Sequence, residues 1–141
     1  MTKELYKKIP KIELHTHLDC SLSFDFVESV LPQATYEDYL KRFVAGPKVK
    51  ELQDYLNVVD ASLELLQTQD HLEKAINFLF NDLLADNVVY VEIRFAPLLH
   101  TQQGLSPKKV LSIVSHAIEK ESRRTKIAAG LLMCVLRHYR E

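Results

Sequence analysis

The chain has 141 residues and a formal net charge of −1, a balance that gives no electrostatic reason to expect nucleic acid or an anionic membrane as a partner. Hydrophobic residues make up 47% of it, as in globular domains, and no apolar run approaches the roughly 18 residues that a membrane span needs. The charged first residues lack the apolar stretch of a secretory signal, and the two cysteines, Cys20 and Cys134, lie far apart in sequence. We therefore expect no disulfide framework and a cytoplasmic location.

The first predicted element is a strand over residues 11–17, after a polar lead-in over residues 1–9. Apolar and polar side chains alternate along it, with the two-residue period of a strand. One side carries Ile12, Leu14 and Thr16, and the other carries Glu13, His15 and His17. If this strand belongs to a barrel, the histidine side faces the barrel interior.

A long excursion over residues 21–50 follows, interrupted by proline and glycine. Short helices are expected around 23–31 and 35–43. An insertion of this length after a strand often carries function, for example as a lid over a site.

Two helices come next, because apolar residues recur at helical spacing over 51–67 and 71–86. Asp70 is a candidate N-cap of the second helix, with Glu73 three residues further on. Asn87 is expected to end that helix.

The second half of the chain continues with a strand rich in β-branched residues over 88–95. Ser106 and Pro107 form an N-cap and N1 pair that opens a helix through about Arg123. A third strand is predicted over 127–136. The order strand, helix, strand, helix, strand indicates an α/β fold built from parallel βα units.

His15 and His17 are the leading site candidates, because residues i and i+2 of a strand point to one side. Two imidazoles at one point supply half of a nitrogen and oxygen shell for a metal such as zinc. Without further context, the commoner interpretation of His-x-His is a solvated strand face. The residues around the pair favour the metal.

Three segments carry a resemblance to a known family. They are PKIELHTHLDCSLS at 10–23, VYVEIRFAP at 89–97 and LMCVLRH at 132–138. In this order and spacing they resemble the adenosine deaminase family of metal-dependent amidohydrolases. Its fold is a (β/α)8 barrel, which typically needs about 250 residues. The resemblance therefore implies that residues 1–141 are a single, truncated catalytic domain holding the N-terminal three βα units of an incomplete TIM barrel.

The resemblance also implies the site residues. His15 and His17 would bind Zn²⁺, and Asp19 and His17 would bind substrate, with Asp19 contacting the sugar of a purine nucleoside. The remaining catalytic residues are expected beyond Glu141, so we expect the chain alone to be inactive. Leu52 and Tyr55 lie on the helix that the family uses as an apolar gate, although core packing is the simpler role for either.

Cys20 departs from the family, which has glycine after the aspartate. Glycine permits backbone conformations that cysteine resists, so the departure bears on loop packing and substrate choice. An additional thiolate ligand at Cys20 is conceivable.

Other polar residues are interpreted as structural. Glu92 and Arg94 share one strand side and could form an ion pair, which Arg137 could join. His71 and His116 lie on predicted helices and are expected to be solvated or packed. His100 and His138 follow predicted strands and could face a pocket, although packing is the simpler role for both. Cys134 is expected to be a small core residue.

The sequence thus predicts part of a zinc-dependent enzyme that hydrolyses adenosine to inosine and ammonia. One alternative is a related amidohydrolase acting on adenine or AMP. Another is a non-catalytic truncated module that binds a metal or a partner through its open strand edge. The oligomeric state stays open.

Overall fold

The computed structural model describes residues 3–46 and 51–136, and its elements follow one another as helices around three strands. In chain order they are α1 (Lys3–Lys8), β1 (Lys11–His17), a 3-10 turn (Leu18–Cys20), α2 (Phe24–Val30), α3 (Tyr36–Phe43), α4 (Leu52–Leu65), α5 (Gln69–Ala85), β2 (Val88–Phe95), a second 3-10 turn (Pro97–His100), α6 (Pro107–Thr125) and β3 (Ala128–Met133). The predicted polar lead-in is in part the short helix α1. Within the described ranges, no helix is both long and apolar enough to cross a bilayer.

The three strands form one parallel sheet in the order β1-β2-β3. Parallel neighbours need a crossover, and helices supply both crossovers here. The long connection from β1 to β2 contains α2 through α5, and α6 joins β2 to β3. The α/β order predicted from the sequence is confirmed.

In the described residues, the hydrophobic core lies between the sheet and the helices α5 and α6. Val91 and Ile93 of β2 are fully buried, as are Ile76 and Phe80 of α5 and Val114 of α6. This packing fixes β2 as the central strand against which β1 and β3 are aligned.

The helix N-termini carry the side-chain caps that polar residues provide at such positions. Ser106 accepts a hydrogen bond from the backbone of Lys109, as predicted. For α5 the prediction was wrong, because Thr68 rather than Asp70 is the N-cap, and its hydroxyl oxygen accepts from the backbone N–H of His71. Asp70 instead lies in the first turn and pairs with Lys74.

The long excursion after β1 is packed against the rest of the fold. Phe26 and Val27 of α2 are fully buried, and the hydroxyl of Tyr39 in α3 donates to the carbonyl oxygen of Leu22 at 2.9 Å. Helix α4 contacts the 3-10 turn that follows β1. The excursion therefore forms a wall beside the C-terminal end of β1.

The pairing of β1 with β2 contains two irregularities, one between Lys11 and Ile12 and one between Glu13 and Thr16. Glu13 lies opposite Val91, and Thr16 lies opposite Ile93. Three residue steps on β1 therefore match two steps on β2, which is the one-residue excess of a β-bulge. The bulge interrupts the strict alternation predicted for this strand.

Candidate metal centre and substrate site

His15 and His17 converge at the C-terminal end of β1. Their Nε2 atoms lie 3.1 Å apart, and their ring centroids lie 5.1 Å apart with the planes inclined by 31°. His15 is exposed and His17 is half-buried. The Nε2 atoms of the two rings therefore point toward one position that is accessible to solvent.

The spacing of this pair fits a zinc ion. Zinc–nitrogen bonds of about 2.0–2.1 Å in a tetrahedral shell place two nitrogen ligands about 3.3 Å apart. The observed separation of 3.1 Å between the Nε2 atoms is close to that edge. The two imidazoles could thus hold zinc through Nε2 with little movement of either ring.

Asp19 lies in the 3-10 turn that follows the pair and is buried, with 6% of its surface exposed. Its Oδ1 is 3.8 Å from Nδ1 of His17, which is longer than a hydrogen bond. A carboxylate beside the second nitrogen of a metal-binding histidine is the usual means of fixing the ring. The Asp19 carboxylate also presents hydrogen-bond acceptors at the rim of the site.

The 3-10 turn positions Asp19 relative to the strand. The hydroxyl of Ser21 donates to the carbonyl oxygen of His17 at 2.7 Å, and the backbone N–H of Ser21 donates to Leu18. These bonds hold the 3-10 turn against the C-terminal end of β1. The thiol of Cys20 consequently lies 3.8 Å from Oδ1 of Asp19.

A buried polar network, which the sequence did not indicate, joins the residues that follow α4 to the second 3-10 turn. Nδ1 of His100 donates to the carbonyl oxygen of Leu66 at 2.9 Å. Gln67 is also buried; its amide donates to Leu99, and its Oε1 accepts from the backbone of Gln102 at 3.0 Å. These contacts join segments more than 30 residues apart, so no local pattern could have predicted them.

His100 itself is fully buried and stands beside the Phe95 ring. Burial lowers the pKa of its imidazole, and the hydrogen bond to Leu66 and the charge of Asp19 only partly oppose that effect. Among the described residues Nε2 has no hydrogen-bond partner. His100 is therefore a neutral packed histidine, in line with the simpler of its two predicted roles.

Glu92 and Arg94 do not form the predicted ion pair. In the described part of the chain Glu92 accepts a hydrogen bond from the Tyr90 hydroxyl at 3.2 Å, and Nε of Arg94 has no partner. Tyr90 and Arg94 are each two residues from Glu92, about 6.6 Å along the strand on the same side. Spacing therefore does not choose between them, and the hydroxyl of Tyr90 is the group that reaches the carboxylate.

The remaining candidates contribute little to the site. His71 bonds through Nδ1 to the carbonyl oxygen of Leu65, and His116 bonds in the same way to Ser112. Both are helix residues with local partners. Four predicted positions lie outside the described residues, namely the side chains of Leu52 and Tyr55 and all of Arg137 and His138.

Solved structures share this arrangement of strands and helices. An amidohydrolase from Burkholderia ambifaria with bound Zn matches with a TM-score of 0.77 at 20% identity, over 94% of this chain and 38% of its own. Arabidopsis ADAL complexed with GMP matches with a TM-score of 0.72 at 21% identity, over 95% and 43%. At such identities the likeness establishes the fold: a three-strand parallel sheet with its connecting helices, as in part of the TIM barrel of amidohydrolases.

Sequence relatives are more similar. Adenosine deaminase of Clostridium perfringens is 39% identical over 93% of this chain and 42% of its own length, and that of Clostridium botulinum is 32% identical over 94% and 42%. A family model described as adenosine deaminase matches residues 10–141. The chain belongs to the adenosine deaminase family and corresponds to an N-terminal portion of it. It spans about 42% of the length of these relatives.

Proposed function

We propose that this chain is part of a zinc-dependent deaminase that hydrolyses adenosine to inosine and ammonia in the cytoplasm. The observation that carries the proposal is the 3.1 Å separation of the His15 and His17 Nε2 atoms at the C-terminal end of β1. Active sites of TIM barrels lie at that end of the strands. Membership of the adenosine deaminase family supports the same reaction.

In this proposal His15 and His17 hold Zn²⁺ through Nε2. Zinc, when bound, supplies a water of lowered pKa, near 7, for attack at neutral pH. Asp19 holds the His17 ring by attraction at Nδ1 and accepts a hydrogen bond from a sugar hydroxyl of the substrate. His17 contributes to substrate binding through its position between the Asp19 carboxylate and His15.

Residues 1–141 are proposed to form part of one catalytic domain whose further ligands and proton-transfer groups lie beyond Glu141. Two imidazoles supply only half of the four-ligand shell of zinc. Loss of general acid–base help typically costs about 10²–10⁴ in rate. The chain alone is accordingly expected to show no measurable deamination.

A nucleoside is favoured over the adenine and AMP alternatives because of Asp19. Asp19 is buried, and its carboxylate lies 3.8 Å from the His17 ring, where it can accept from a neutral hydroxyl but would repel a phosphate. Adenine would leave it without a sugar to contact. Among the structural neighbours, an adenine deaminase of Arthrobacter aurescens, with a TM-score of 0.68 at 20% identity over 88% of this chain and 38% of its own, motivates testing that base.

The experiment compares zinc content and deamination of adenosine, adenine and AMP by the full-length protein that contains this chain. We expect adenosine to react fastest, and His15→Ala or His17→Ala to lose both zinc and activity. His116→Ala is the matched control, because this exposed histidine lies on α6 and bonds only within its own helix. Full zinc content in the His15 and His17 variants would disprove the proposed metal centre, and preference for AMP or adenine would disprove the substrate.

A further inference from the structure

His17, Asp19 and Cys20 bring three different kinds of ligand atom together. One nitrogen, one carboxylate oxygen and one sulfur lie within 4.8 Å of one another. We propose that these three residues form a second cation site, the thiol site, which takes a thiophilic divalent ion such as Cd²⁺ or Zn²⁺. The thiol site is independent of the deaminase proposal, because it requires neither a substrate nor the ligands expected beyond Glu141.

The two nitrogens of His17 face different sites, and the neutral ring, which has one lone-pair nitrogen, can bind an ion at either site but not at both at once. Nε2 faces His15 at 3.1 Å, whereas Nδ1 faces Oδ1 of Asp19 at 3.8 Å. The same carboxylate oxygen is 3.8 Å from the sulfur of Cys20. Donors around a tetrahedral zinc are separated by about 3.3–3.6 Å, so small rotations of Asp19 and Cys20 would close the shell, and a larger ion needs less movement.

The surroundings leave room for an ion. Asp19 and Cys20 line a cleft of about 70 Å³, whose other side is formed by apolar residues, among them Phe43 of α3 and Val58 and Val59 of α4. A water molecule takes about 30 Å³ of liquid volume, so the cleft accommodates an ion with a water. Cys20 is exposed, which gives the ion a path from solvent.

The donor set determines which ions would bind. Thiolate and imidazole ligands select soft or borderline ions such as zinc, whereas Mg²⁺ and Ca²⁺ prefer oxygen ligands. When the ion binds, a metal–sulfur bond replaces the S–H bond of Cys20, and the proton leaves to solvent. No oxidation or reduction is involved.

The test is a titration of the intact protein with Cd²⁺, followed by the near-ultraviolet charge-transfer band of a cadmium–thiolate bond. We expect a saturable band in the unmodified protein and in Cys134→Ser, and its loss in Cys20→Ser. Cys134 is the matched control, because it is the other cysteine and lies at the opposite edge of the sheet, just after β3. A band that persists in Cys20→Ser, or that disappears in Cys134→Ser, would overturn the proposal.

Two further variants separate the thiol site from the histidine pair. Asp19→Asn is expected to weaken Cd²⁺ binding about 10-fold through loss of the charged ligand. His15→Asn is expected to keep the band, because His15 is not one of the three donors. Loss of the band in His15→Asn would mean that Cys20 ligates the ion of the histidine pair, and the separate site would be disproved.

A second readout does not depend on absorbance. Bound Cd²⁺ should protect Cys20 from alkylation, as measured by mass spectrometry, and should leave the alkylation of Cys134 unchanged. Equal alkylation of Cys20 with and without Cd²⁺ would contradict the proposal.

Discussion

Burial of His100 makes the free energy of unfolding sensitive to acid. Because its pKa is lowered in the folded state, the unfolded chain binds the proton more readily below about pH 6.5. The free energy of unfolding therefore falls as the pH decreases from about 6.5 toward the lowered folded pKa. Asp19 is the acidic group whose charge opposes this effect, and it does so less strongly than burial.

The corresponding prediction concerns His100→Asn, which keeps a donor for the Leu66 carbonyl but cannot titrate. We expect a shallower loss of unfolding free energy between about pH 7 and 5 than in the unmodified protein, measured by urea denaturation. His116→Asn, at an exposed position on α6, should keep the original slope. Identical slopes for all three proteins would contradict a lowered pKa of His100 in the folded state.

Asp19 carries a prediction about substrate binding that follows from the proposed function. In the full-length protein, Asp19→Ala should lower kcat/KM for adenosine by about 10- to 100-fold, as expected for loss of a hydrogen bond to a charged group. Adenosine analogues that lack a sugar hydroxyl should identify the contacted group, because one of them will lose little further in the variant. An Asp19→Ala protein with unchanged kcat/KM would exclude the sugar contact.

At the scale of the elements, two substitutions at the start of α5 test which residue caps the helix. Thr68→Ala should cost about 1 kcal/mol of unfolding free energy, because the N–H of His71 loses its acceptor. Asp70→Ala should cost much less, since it removes only a surface pair with Lys74. Urea denaturation measures both, and an equal or greater loss in Asp70→Ala would contradict the capping geometry.

Local patterns predicted most of these elements for physical reasons that can be named. β2 occupies Val88–Phe95, as predicted, because a β-branched run follows Asn87, whose φ of 56° ends the helical backbone. The N-cap of α5 was missed because Thr68 and Asp70 are both good capping residues. The backbone conformation decided between them, with Thr68 in the extended region at φ −120° and ψ 158°.

The site was predictable only in part. The convergence of His15 and His17 was predictable, because it follows from the i, i+2 spacing of a strand, which is local information. The contact of His100 with Leu66 spans 34 residues, and the pairing of Glu92 with Tyr90 rather than Arg94 depends on competition between neighbours. Such contacts follow from packing, which a periodic pattern does not encode.

At the scale of the whole molecule, β1 presents an apolar surface to solvent. Ile12 and Leu14 are 63% and 56% exposed, and β1 is at one end of the strand order. An exposed apolar edge strand is a template for pairing with another chain. In a longer protein with a closed barrel, further elements would cover this surface.

This exposure predicts concentration-dependent self-association of the 141-residue chain. Leu14→Lys should reduce association, measured by sedimentation velocity, because charge at an edge strand opposes pairing. Leu84→Lys is the matched control, since Leu84 is similarly exposed, at 49%, but lies on α5. Equal association of both variants would place the contact elsewhere.

The bulge in β1 gives this strand an unusual response to changes in length. Removing one residue between Glu13 and Thr16 would restore regular pairing with Val91 and Ile93, so it should be tolerated by the sheet. Because both flanks keep their register, the residue removed decides the outcome: loss of His15 leaves His17 alone, whereas loss of Leu14 keeps both histidines. A one-residue deletion in this strand is thus a change by which a descendant of this chain could keep its architecture and lose its histidine pair.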